Sequence, residues 1–343
     1  AADGAFTLPD GDSAAHGSSV AHSHATLHTL WGIADLGLAT GETRYLEFAR
    51  RSFDWMLGRG TGTGWFPAMP DNCNETCCIA DMISIAAVLG EAGHSEYYDY
   101  VERCLRNYIS NLQFIVTPEF EDYYRRLNQS AGEEAIADGL AMLRRFQGGI
   151  IGGSGLNDFE NELLGGVSGF EMFGCCAPEG MRAIYTAWLH TIARRPASRS
   201  APAGVYVNLS LNRASDWGQV VSFMPEEGRL TVKAGVTDTF FLRPPGWVTS
   251  QQVNAFINGE AITVDWQDGY VRFLGQRGDE LTLTYPLIRF SQQVSGLWKD
   301  CRPDLSITFH WLGNMVLSAA PAPAHTPLFL GKPRSLPPSP YAA

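Results

Sequence analysis

One segment divides this sequence: Arg195-Pro196-Ala197-Ser198-Arg199-Ser200-Ala201-Pro202-Ala203-Gly204, a run rich in proline, serine and alanine. This composition favours a linker, because proline and glycine interrupt regular backbone hydrogen bonding. Upstream, from about Ser19 to Arg195, apolar residues recur at helical spacing, and downstream an alternation with a period of two takes over. The sequence therefore predicts a helical half followed by a strand-rich half.

The first half contains about six amphipathic sets of residues, each with apolar side chains three and four positions apart, the spacing that lines one helix face. Short turns that contain glycine, such as Thr40-Gly41-Glu42-Thr43, separate successive sets, as in antiparallel helical hairpins. The sets begin at Leu27, Leu46, Ile79, Val101, Ile136 and Met181. We expect three helical hairpins.

The second half predicts a β-sandwich or jelly-roll domain, with Asn258-Gly259 and Asp268-Gly269 as hairpin turns. The candidate strands are 204–211, 218–224, 229–234, 237–243, 252–257, 261–264, 270–273 and 280–285. The last residues form a Pro-rich tail. We expect a helical domain over residues 1–197, a β-sandwich domain over 198–320 and the tail over 321–343.

Composition limits the possible functions. The chain has 343 residues, 45% of them hydrophobic, and a formal net charge of −11. This length and composition are typical of a soluble globular protein of two domains, and we expect no membrane partner. Nucleic-acid binding depends on lysine and arginine neutralising phosphates, so an acidic chain is not expected to bind nucleic acid.

Two cysteine motifs indicate a metal site: Asn74-Glu75-Thr76-Cys77-Cys78 and Phe173-Gly174-Cys175-Cys176-Ala177-Pro178-Glu179. A Glu-x-Cys sequence together with an adjacent Cys-Cys pair supplies one carboxylate and three thiolates. That number and softness of ligands suits tetrahedral zinc. Cys78 is an alternative ligand to Cys77, and the adjacent cysteines form disulfides instead if the compartment is oxidising.

Four fragments occur in the order found in a known family: Ser23-His24-Ala25-Thr26 leading into Trp31-Gly32-Ile33-Ala34-Asp35-Leu36, then Glu75-Thr76-Cys77, then Gly174-Cys175-Cys176-Ala177-Pro178, then Leu242-Arg243-Pro244-Pro245-Gly246-Trp247. In these fragments the chain resembles the zinc-dependent β-L-arabinofuranosidases of glycoside hydrolase family 127 (GH127) and their uncharacterised relatives. The resemblance implies an (α/α)6 barrel joined to β-sandwich domains, and a carbohydrate substrate.

Residue by residue, the resemblance implies that Glu75, Cys77, Cys175 and Cys176 bind Zn²⁺, that Cys175 is also the nucleophile, and that His24 faces the sugar. The chemistry is reasonable on its own terms. A free cysteine is mostly protonated at neutral pH, whereas zinc holds a coordinated thiol as the thiolate. A retaining glycosidase needs such a nucleophile and a second group that protonates the leaving oxygen.

The general acid/base departs from the family pattern. The family's acid/base glutamate lies upstream of Glu-Thr-Cys, but residues 58–70 contain no aspartate or glutamate here. We expect Asp71 to take this role, and Asp158 is the next candidate, ahead of Glu171 and Glu179. Glu179 instead suits the start of a helix, where a carboxylate is favoured by the helix dipole.

The second departure is size, because three hairpins make only half of a six-hairpin toroid. Half a toroid exposes an apolar wall, and such a surface marks an interface. We therefore expect either a homo-oligomer or a partner that completes the toroid.

Three further features have both a functional and a structural interpretation. His24 and His28 stand four apart on one helix face, a spacing that binds metal or that simply serves packing and hydrogen bonding. Trp65 either stacks on a sugar or anchors its loop. The glycine-rich run 148–155 lacks the ending of a phosphate loop, and beside Asn157 it is interpreted either as a substrate-binding loop or as a connector.

The sequence thus predicts a retaining zinc-cysteine glycosidase acting on a terminal furanosyl or related sugar. One alternative is a carbohydrate-binding or assembly subunit in which zinc is purely structural. A second is a hydrolase or lyase in which zinc-bound water does the chemistry. Free thiols and zinc favour the cytoplasm, although the sequence itself assigns no compartment.

Overall fold

The computed structural model describes residues 23–58, 60–65, 74–114, 116, 118–146, 148–157, 174–198, 201–295 and 306–322. Within these residues, seven α-helices precede the strands. They are α1 Ser23–Thr40, α2 Thr43–Leu57, α3 Thr76–Glu91, α4 Tyr97–Asn107, α5 Pro118–Leu127, α6 Glu133–Arg145 and α7 Cys176–Thr191. The six sets predicted from periodicity correspond to all of these except α5.

Helix α3 is the central helix of this half. It is buried on every face from Thr76 to Gly90, and α1, α2, α4 and α7 pack around it. Gly90 makes one of these contacts possible, because a Cβ at this position would lie 2.6 Å from the ring of Tyr98 on α4. A helix that is apolar all round is the expected centre of a helical layer.

Fourteen strands form three sheets in the described residues. The five-stranded sheet has the order β1-β2-β6-β10-β9, the six-stranded sheet β3-β4-β5-β11-β7-β8, and the three-stranded sheet β12-β13-β14. The strands are β1 Ile192–Arg195, β2 Gly204–Val207, β3 Arg213–Ser215, β4 Gly218–Ser222, β5 Arg229–Ala234, β6 Asp238–Leu242, β7 Asn254–Ile257, β8 Glu260–Ile262, β9 Trp266–Gln267, β10 Tyr270–Gly275, β11 Glu280–Thr284, β12 Arg289–Ser295, β13 Ser306–Leu312 and β14 Met315–Ala320.

Two large apolar cores, beside a small cluster of Tyr206, Phe241 and Tyr270, organise the described residues. One lies between the five- and six-stranded sheets and includes Val207, Leu242 and Leu283. The other fills the helical half and continues into the three-stranded sheet through Phe309 and Trp311 of β13. The three-stranded sheet therefore shares its core with the helices, even though it lies at the far end of the described sequence.

Both predicted hairpin turns are confirmed. Asn258 and Gly259 have φ angles of 52° and 83°, and Asp268 and Gly269 have φ angles of 47° and 85°. Two-residue turns of this kind need positive φ at both positions, which asparagine, aspartate and glycine tolerate best. They connect β7 to β8 and β9 to β10.

The segment predicted as a linker joins the two strands of a hairpin. Strands β1 and β2 pair antiparallel, with Arg195 opposite Gly204 and Ile192 opposite Val207. Since β1 follows α7 directly, the helical half leads into the five-stranded sheet without an intervening spacer. The alternation that marks the strand-rich half therefore begins before the proline-rich run.

A buried ion cluster joins α4 to the sheets. Arg243, the residue that follows β6, donates from its guanidinium to Asp99 Oδ1 at 2.6 Å and to Glu102 Oε1 at 3.3 Å. The other carboxylate oxygen of Glu102 accepts a hydrogen bond from Asn314 Nδ2 at 2.7 Å, in the turn between β13 and β14. Gly246 lies against the carboxylate of Asp99, where a Cβ would require that side chain to shift. Arg243 and Gly246 of the Leu242–Trp247 fragment thus both lie against Asp99.

No described helix combines the length and the hydropathy required to cross a bilayer.

Candidate metal centre

The two cysteine motifs meet because α3 and α7 begin side by side. Glu75 is the residue before the first turn of α3 and Cys77 lies in that turn. Cys175 has the corresponding place before α7, and Cys176 is its first residue. The structure thus brings together Cys77, Cys175 and Cys176, and it places Glu75 beside Cys77.

The spacing of their ligand atoms fits a tetrahedral ion. Cys77 Sγ lies 3.4 Å from Glu75 Oε2 and 3.6 Å from Cys176 Sγ, which is 3.6 Å from Cys175 Sγ. In a tetrahedral site with metal–sulfur bonds of about 2.3 Å and metal–oxygen bonds of about 2.1 Å, adjacent sulfurs are about 3.8 Å apart and a sulfur and an oxygen about 3.6 Å apart. Cys77, Cys175 and Cys176 can therefore hold a metal ion, whereas Glu75 groups with Cys77 and Cys78 and stays a predicted ligand.

Without a cation these sulfurs remain thiols. Burial and the neighbouring Cys176 raise the pKa of Cys175. The hydrogen bond to Cys77, and then burial, raise the pKa of Cys176 well above its usual range. The positive ends of two helix dipoles favour negative charge at this place, but crowding and burial oppose it. A bound cation is what would stabilise the thiolates together.

The sulfurs differ in exposure. Cys77 and Cys176 are buried, whereas Cys175 is exposed. Among these three thiols, Cys175 is the one that a ligand from solvent can reach.

Cys78 fits the centre less well than Cys77. Its sulfur lies 4.0 Å from Glu75 Oε2, and it is not part of the group formed by Cys77, Cys175 and Cys176. Burial raises its pKa to about 11. The geometry therefore favours Cys77 as the ligand.

The sulfur atoms of Cys175 and Cys176, and those of Cys176 and Cys77, are 3.6 Å apart. Neither pair is therefore joined by a disulfide bond.

The glycine-rich loop braces the first metal motif. Thr76 donates from its backbone nitrogen to Gly152 O at 2.8 Å and from its hydroxyl to Ile151 O at 2.7 Å. Gly153 lies directly on the carbonyl of Asn74, with no space for a Cβ. The backbone of this loop therefore packs closely against the chain on both sides of Glu75 and holds it in place.

Trp65 and Asn157 lie near this loop. Trp65 is only 1% exposed and donates from Nε1 to Ser154 O at 3.2 Å. This burial fits the interpretation of Trp65 as a loop anchor. Asn157 donates to Pro321 O at 2.8 Å. Sugar contacts by these two side chains stay predictions.

His24 belongs to a polar layer one helical turn beyond the cysteines. Its Nδ1 lies 2.8 Å from Asp81 Oδ2, while His28 Nδ1 lies 3.1 Å from Asp81 Oδ1. Arg182 of α7 donates to the same Oδ1 at 2.7 Å, and it is also paired with Glu179. Glu179 lies in the first turn of α7, as expected for a carboxylate at a helix start. There it forms an ion pair with Arg182.

His24, His28 and Asp81 offer three metal-ligand atoms within 4.8 Å of one another. Burial raises the pKa of Asp81, while His24 and Arg182 oppose that rise. Arg182 already supplies a positive charge at 2.7 Å from this carboxylate. We therefore interpret the layer as a hydrogen-bonded network and not as a second metal site.

The sequence reasoning missed Asp81 and Arg182. The signal was helical spacing, since Asp81 follows Cys77 by one turn and Arg182 follows Glu179 by one turn. The proposed acid/base residues Asp71 and Asp158, together with Glu171, lie outside the described residues. Their role stays a prediction.

No protein-family model and no curated protein matches this sequence. Solved structures do match it. A GH127 β-L-arabinofuranosidase from Geobacillus stearothermophilus T6 has a TM-score of 0.57 and 18% sequence identity, over 86% of this chain and 46% of that one. A protein described as a glycoside hydrolase has a TM-score of 0.61 at 16% identity, over 86% of this chain and 51% of that one. A GH127 β-arabinofuranosidase has a TM-score of 0.54 at 18% identity, over 86% of this chain and 47% of that one. This chain shares the fold of these proteins.

The resemblance to GH127 inferred from four short fragments is thus confirmed at the level of the fold: helices first, then β-sheets. The chain spans about half the length of the solved structures it matches, which are covered over 46–51%. The cysteine centre, the glycine-rich loop and the Asp81 layer all lie within the helical half of this shared fold.

Proposed function

We propose that the protein is a retaining glycoside hydrolase of the β-L-arabinofuranosidase type, in which a zinc-bound Cys175 thiolate attacks a terminal furanosyl or related sugar. The observation that carries this proposal is the cluster of Cys77, Cys175 and Cys176, in which Cys175 is exposed to solvent. Glu75 lies beside Cys77. The fold shared with GH127 proteins supports the same assignment.

Zinc is the metal that suits this donor set. Three thiolates and a carboxylate are soft enough to favour zinc over magnesium or calcium, and zinc imposes no strict geometry of its own. When bound, the ion would hold Cys175 as a thiolate at neutral pH. Glu75 would supply the single oxygen ligand, fixed by its place at the start of α3.

The chemistry then follows from this chain's own residues. Cys175 Sγ forms a bond to the anomeric carbon as the bond from that carbon to the leaving oxygen breaks. A carboxylic acid donates its proton to the leaving oxygen, and the resulting carboxylate later takes a proton from the water that cleaves the sugar–sulfur bond. We assign the acid/base role to Asp71, with Asp158 as the alternative.

We further propose that the helices are part of an (α/α)6 toroid and that the five- and six-stranded sheets are a β-sandwich. The shared apolar core of these two sheets supports the sandwich. The domain bounds 1–197, 198–320 and 321–343 stay a prediction, in which β1 pairs across the first bound and the three-stranded sheet packs on the helical core.

An oligomer or a partner chain that completes the toroid is part of this proposal. One face of α7 supports it, because large apolar side chains at helical spacing are exposed there. They are Met181, Ile184, Tyr185, Trp188 and Leu189. Sedimentation or light scattering of the purified chain would measure the oligomeric state directly.

The experiment that tests the function combines elemental analysis with a screen of nitrophenyl furanosides and pyranosides. We expect one equivalent of zinc and turnover of a furanoside. Cys175→Ser should abolish turnover, whereas Cys104→Ala, at a buried cysteine of α4, should retain it. Mass spectrometry of the wild-type protein during turnover should detect a glycosyl adduct on Cys175. Turnover by Cys175→Ser would reject this residue as the nucleophile.

A non-catalytic carbohydrate-binding subunit with a structural zinc is the second candidate. The absence of acidic residues from 58–70 favours it, because the expected general acid is missing there. It predicts bound zinc and sugar binding without turnover. A zinc-water mechanism instead predicts that one of the four side chains is dispensable for zinc binding.

A further inference from the structure

Cys77 belongs to two different groups of metal-ligand atoms. In the first group its Sγ lies 3.6 Å from Cys176 Sγ, which lies 3.6 Å from Cys175 Sγ. In the second group Cys77 Sγ lies 3.4 Å from Glu75 Oε2, and Cys78 Sγ lies 4.0 Å from the same oxygen. Within each group all ligand atoms lie within 4.8 Å of one another. The proposed function gives no role to Cys78.

A single ion does not reach both groups. Cys78 groups with Glu75 and Cys77, and it is not part of the group that contains Cys175 and Cys176. Sulfur ligands of one tetrahedral ion are about 3.8 Å apart, so all the ligands of an ion must lie close together. Among the described residues the centre therefore offers two positions. One has three sulfurs, and the other has two sulfurs and a carboxylate oxygen.

The second position has distances that suit a zinc-like ion. A sulfur and an oxygen on one tetrahedral ion are about 3.6 Å apart, and the two observed separations of 3.4 and 4.0 Å lie on either side of this value. Two thiolates and one carboxylate favour Zn²⁺ or Cd²⁺ over magnesium or calcium. Cys77 and Cys78 are buried and Glu75 is half-buried, so water can complete the coordination from the side of Glu75.

Charge also favours a second cation. Three thiolates and the Glu75 carboxylate carry four negative charges, of which one divalent ion balances two. Arg182, the cation of the neighbouring layer, is already paired with Asp81 and Glu179. Uncompensated charge is costly in a buried place. A second divalent ion would balance the remaining charge and would hold Cys78 as a thiolate, whose proton goes to the solvent.

We propose that Glu75, Cys77 and Cys78 hold a second divalent ion of the zinc and cadmium class, and that the Cys77 thiolate bridges it to the ion held with Cys175 and Cys176. A thiolate sulfur has more than one lone pair and can bind two ions. A carboxylate has two oxygens, so this site is compatible with the ligand role predicted for Glu75 at the first ion. The proposal does not depend on glycosidase activity.

The second ion binds more weakly than the first. It shares one of its two sulfurs, and its binding requires Cys78 to lose a proton, which burial disfavours by raising the pKa of this thiol to about 11. The purified protein is therefore expected to contain one equivalent of zinc, and to take up the second ion only when metal is added.

The first test is a titration with Cd²⁺, followed by the ultraviolet charge-transfer band of cadmium thiolates. A cadmium ion bound only by histidine or carboxylate does not give this band. Every protein carries Cys73→Ser and Cys301→Ser, because these two cysteines lie outside the described residues. We expect this parent protein to bind two equivalents, and Cys78→Ala to bind one. Cys104→Ala is the matched control, since Cys104 is also 0% exposed but belongs to neither group, and it should bind two.

The second test is ¹¹³Cd NMR of the protein with two cadmium ions. Two ions that share a sulfur show scalar coupling between their resonances, so we expect two coupled resonances. Cys78→Ala should show one uncoupled resonance. If this variant does not fold, as judged by circular dichroism, Cys78→Ser replaces it, and the coupling in the parent protein still decides the bridge.

Three results would overturn the proposal: saturation of the parent protein at one equivalent, two equivalents in Cys78→Ala, or two resonances without coupling. These results are distinct from a failure of the proposed function. If two coupled ions bind but the zinc protein turns over no glycoside, the glycosidase assignment fails and the second ion stands. If glycoside is turned over but only one cadmium binds, the second ion fails and the glycosidase assignment stands.

Discussion

Replacing Arg243 by methionine should destabilise the protein strongly. Arg243 is 4% exposed and its guanidinium lies between Asp99 and Glu102 of α4. Methionine keeps much of the apolar stem but removes the charge. Glu102, whose side chain is 1% exposed, then remains as a buried carboxylate without a cation beside it.

The expected loss is about 3–5 kcal/mol of unfolding free energy, the usual cost of removing one partner of a buried ion pair. Urea denaturation followed by circular dichroism measures it. Arg125→Met is the matched control. Its guanidinium is paired with Glu133 at 3.0 Å, but the two side chains are 44% and 87% exposed, so the expected loss is at most about 1 kcal/mol.

A double variant separates charge from packing. If the loss comes from the unpaired carboxylate, then Arg243→Met combined with Glu102→Gln should be more stable than the sum of the single losses predicts, by about 1 kcal/mol or more. The reasoning is refuted if Arg243→Met costs no more than Arg125→Met, or if the two substitutions at the cluster are simply additive.

Three further predictions concern the metal centre and the helical core. Gly153→Ala should weaken zinc binding by about tenfold or more, because the Cβ of the new alanine would collide with the Asn74 carbonyl. Gly174→Ala is the control and should bind zinc normally, because a Cβ at Gly174 meets open space. A competition titration measures zinc binding in both variants. In a Cys73→Ser/Cys301→Ser background, Cys175 should be the first thiol of the metal-free protein to react with a disulfide reagent, because it is exposed. One equivalent of zinc should suppress this reaction. A reaction rate that zinc does not change would contradict the assignment of Cys175 to the metal centre. Burial raises the pKa of Cys104 from its ordinary value of 9.0 to about 12, so the folded state disfavours this thiolate, and the unfolding free energy should fall between pH 9 and 12, less steeply in Cys104→Ala.

Much of the secondary structure could be predicted from local sequence. The helices α1, α2, α3, α4, α6 and α7 were visible in their apolar spacing, since burying one face is what stabilises a helix in a protein. Helix α5 was missed because its sequence, PEFEDYYRRL, contains few aliphatic residues. The short strands β1, β3 and β9 were missed, and so was the whole three-stranded sheet β12-β13-β14. In β13, Ile307, Phe309 and Trp311 nevertheless alternate with more exposed residues.

The candidate metal centre could also be predicted in part. The two cysteine motifs predicted that Cys77, Cys175 and Cys176 lie together, and the structure places them so; Glu75 as a ligand stays a prediction. The choice of Cys77 over Cys78 required the structure, because adjacent residues at the start of a helix point in different directions and only distances to the second motif distinguish them.

The sequence by itself determined what depends on neighbours along the chain: the helical and strand periods, the hairpin turns at Asn258 and Asp268, and the two motifs that carry the clustered cysteines. The tertiary structure decided what depends on residues far apart. It placed Asp81 between His24 and Arg182, pressed Gly153 onto Asn74, and packed the three-stranded sheet on the helical core. Periodicity shows which face of an element is buried, but which element covers that face depends on packing between distant segments, and no local pattern specifies it.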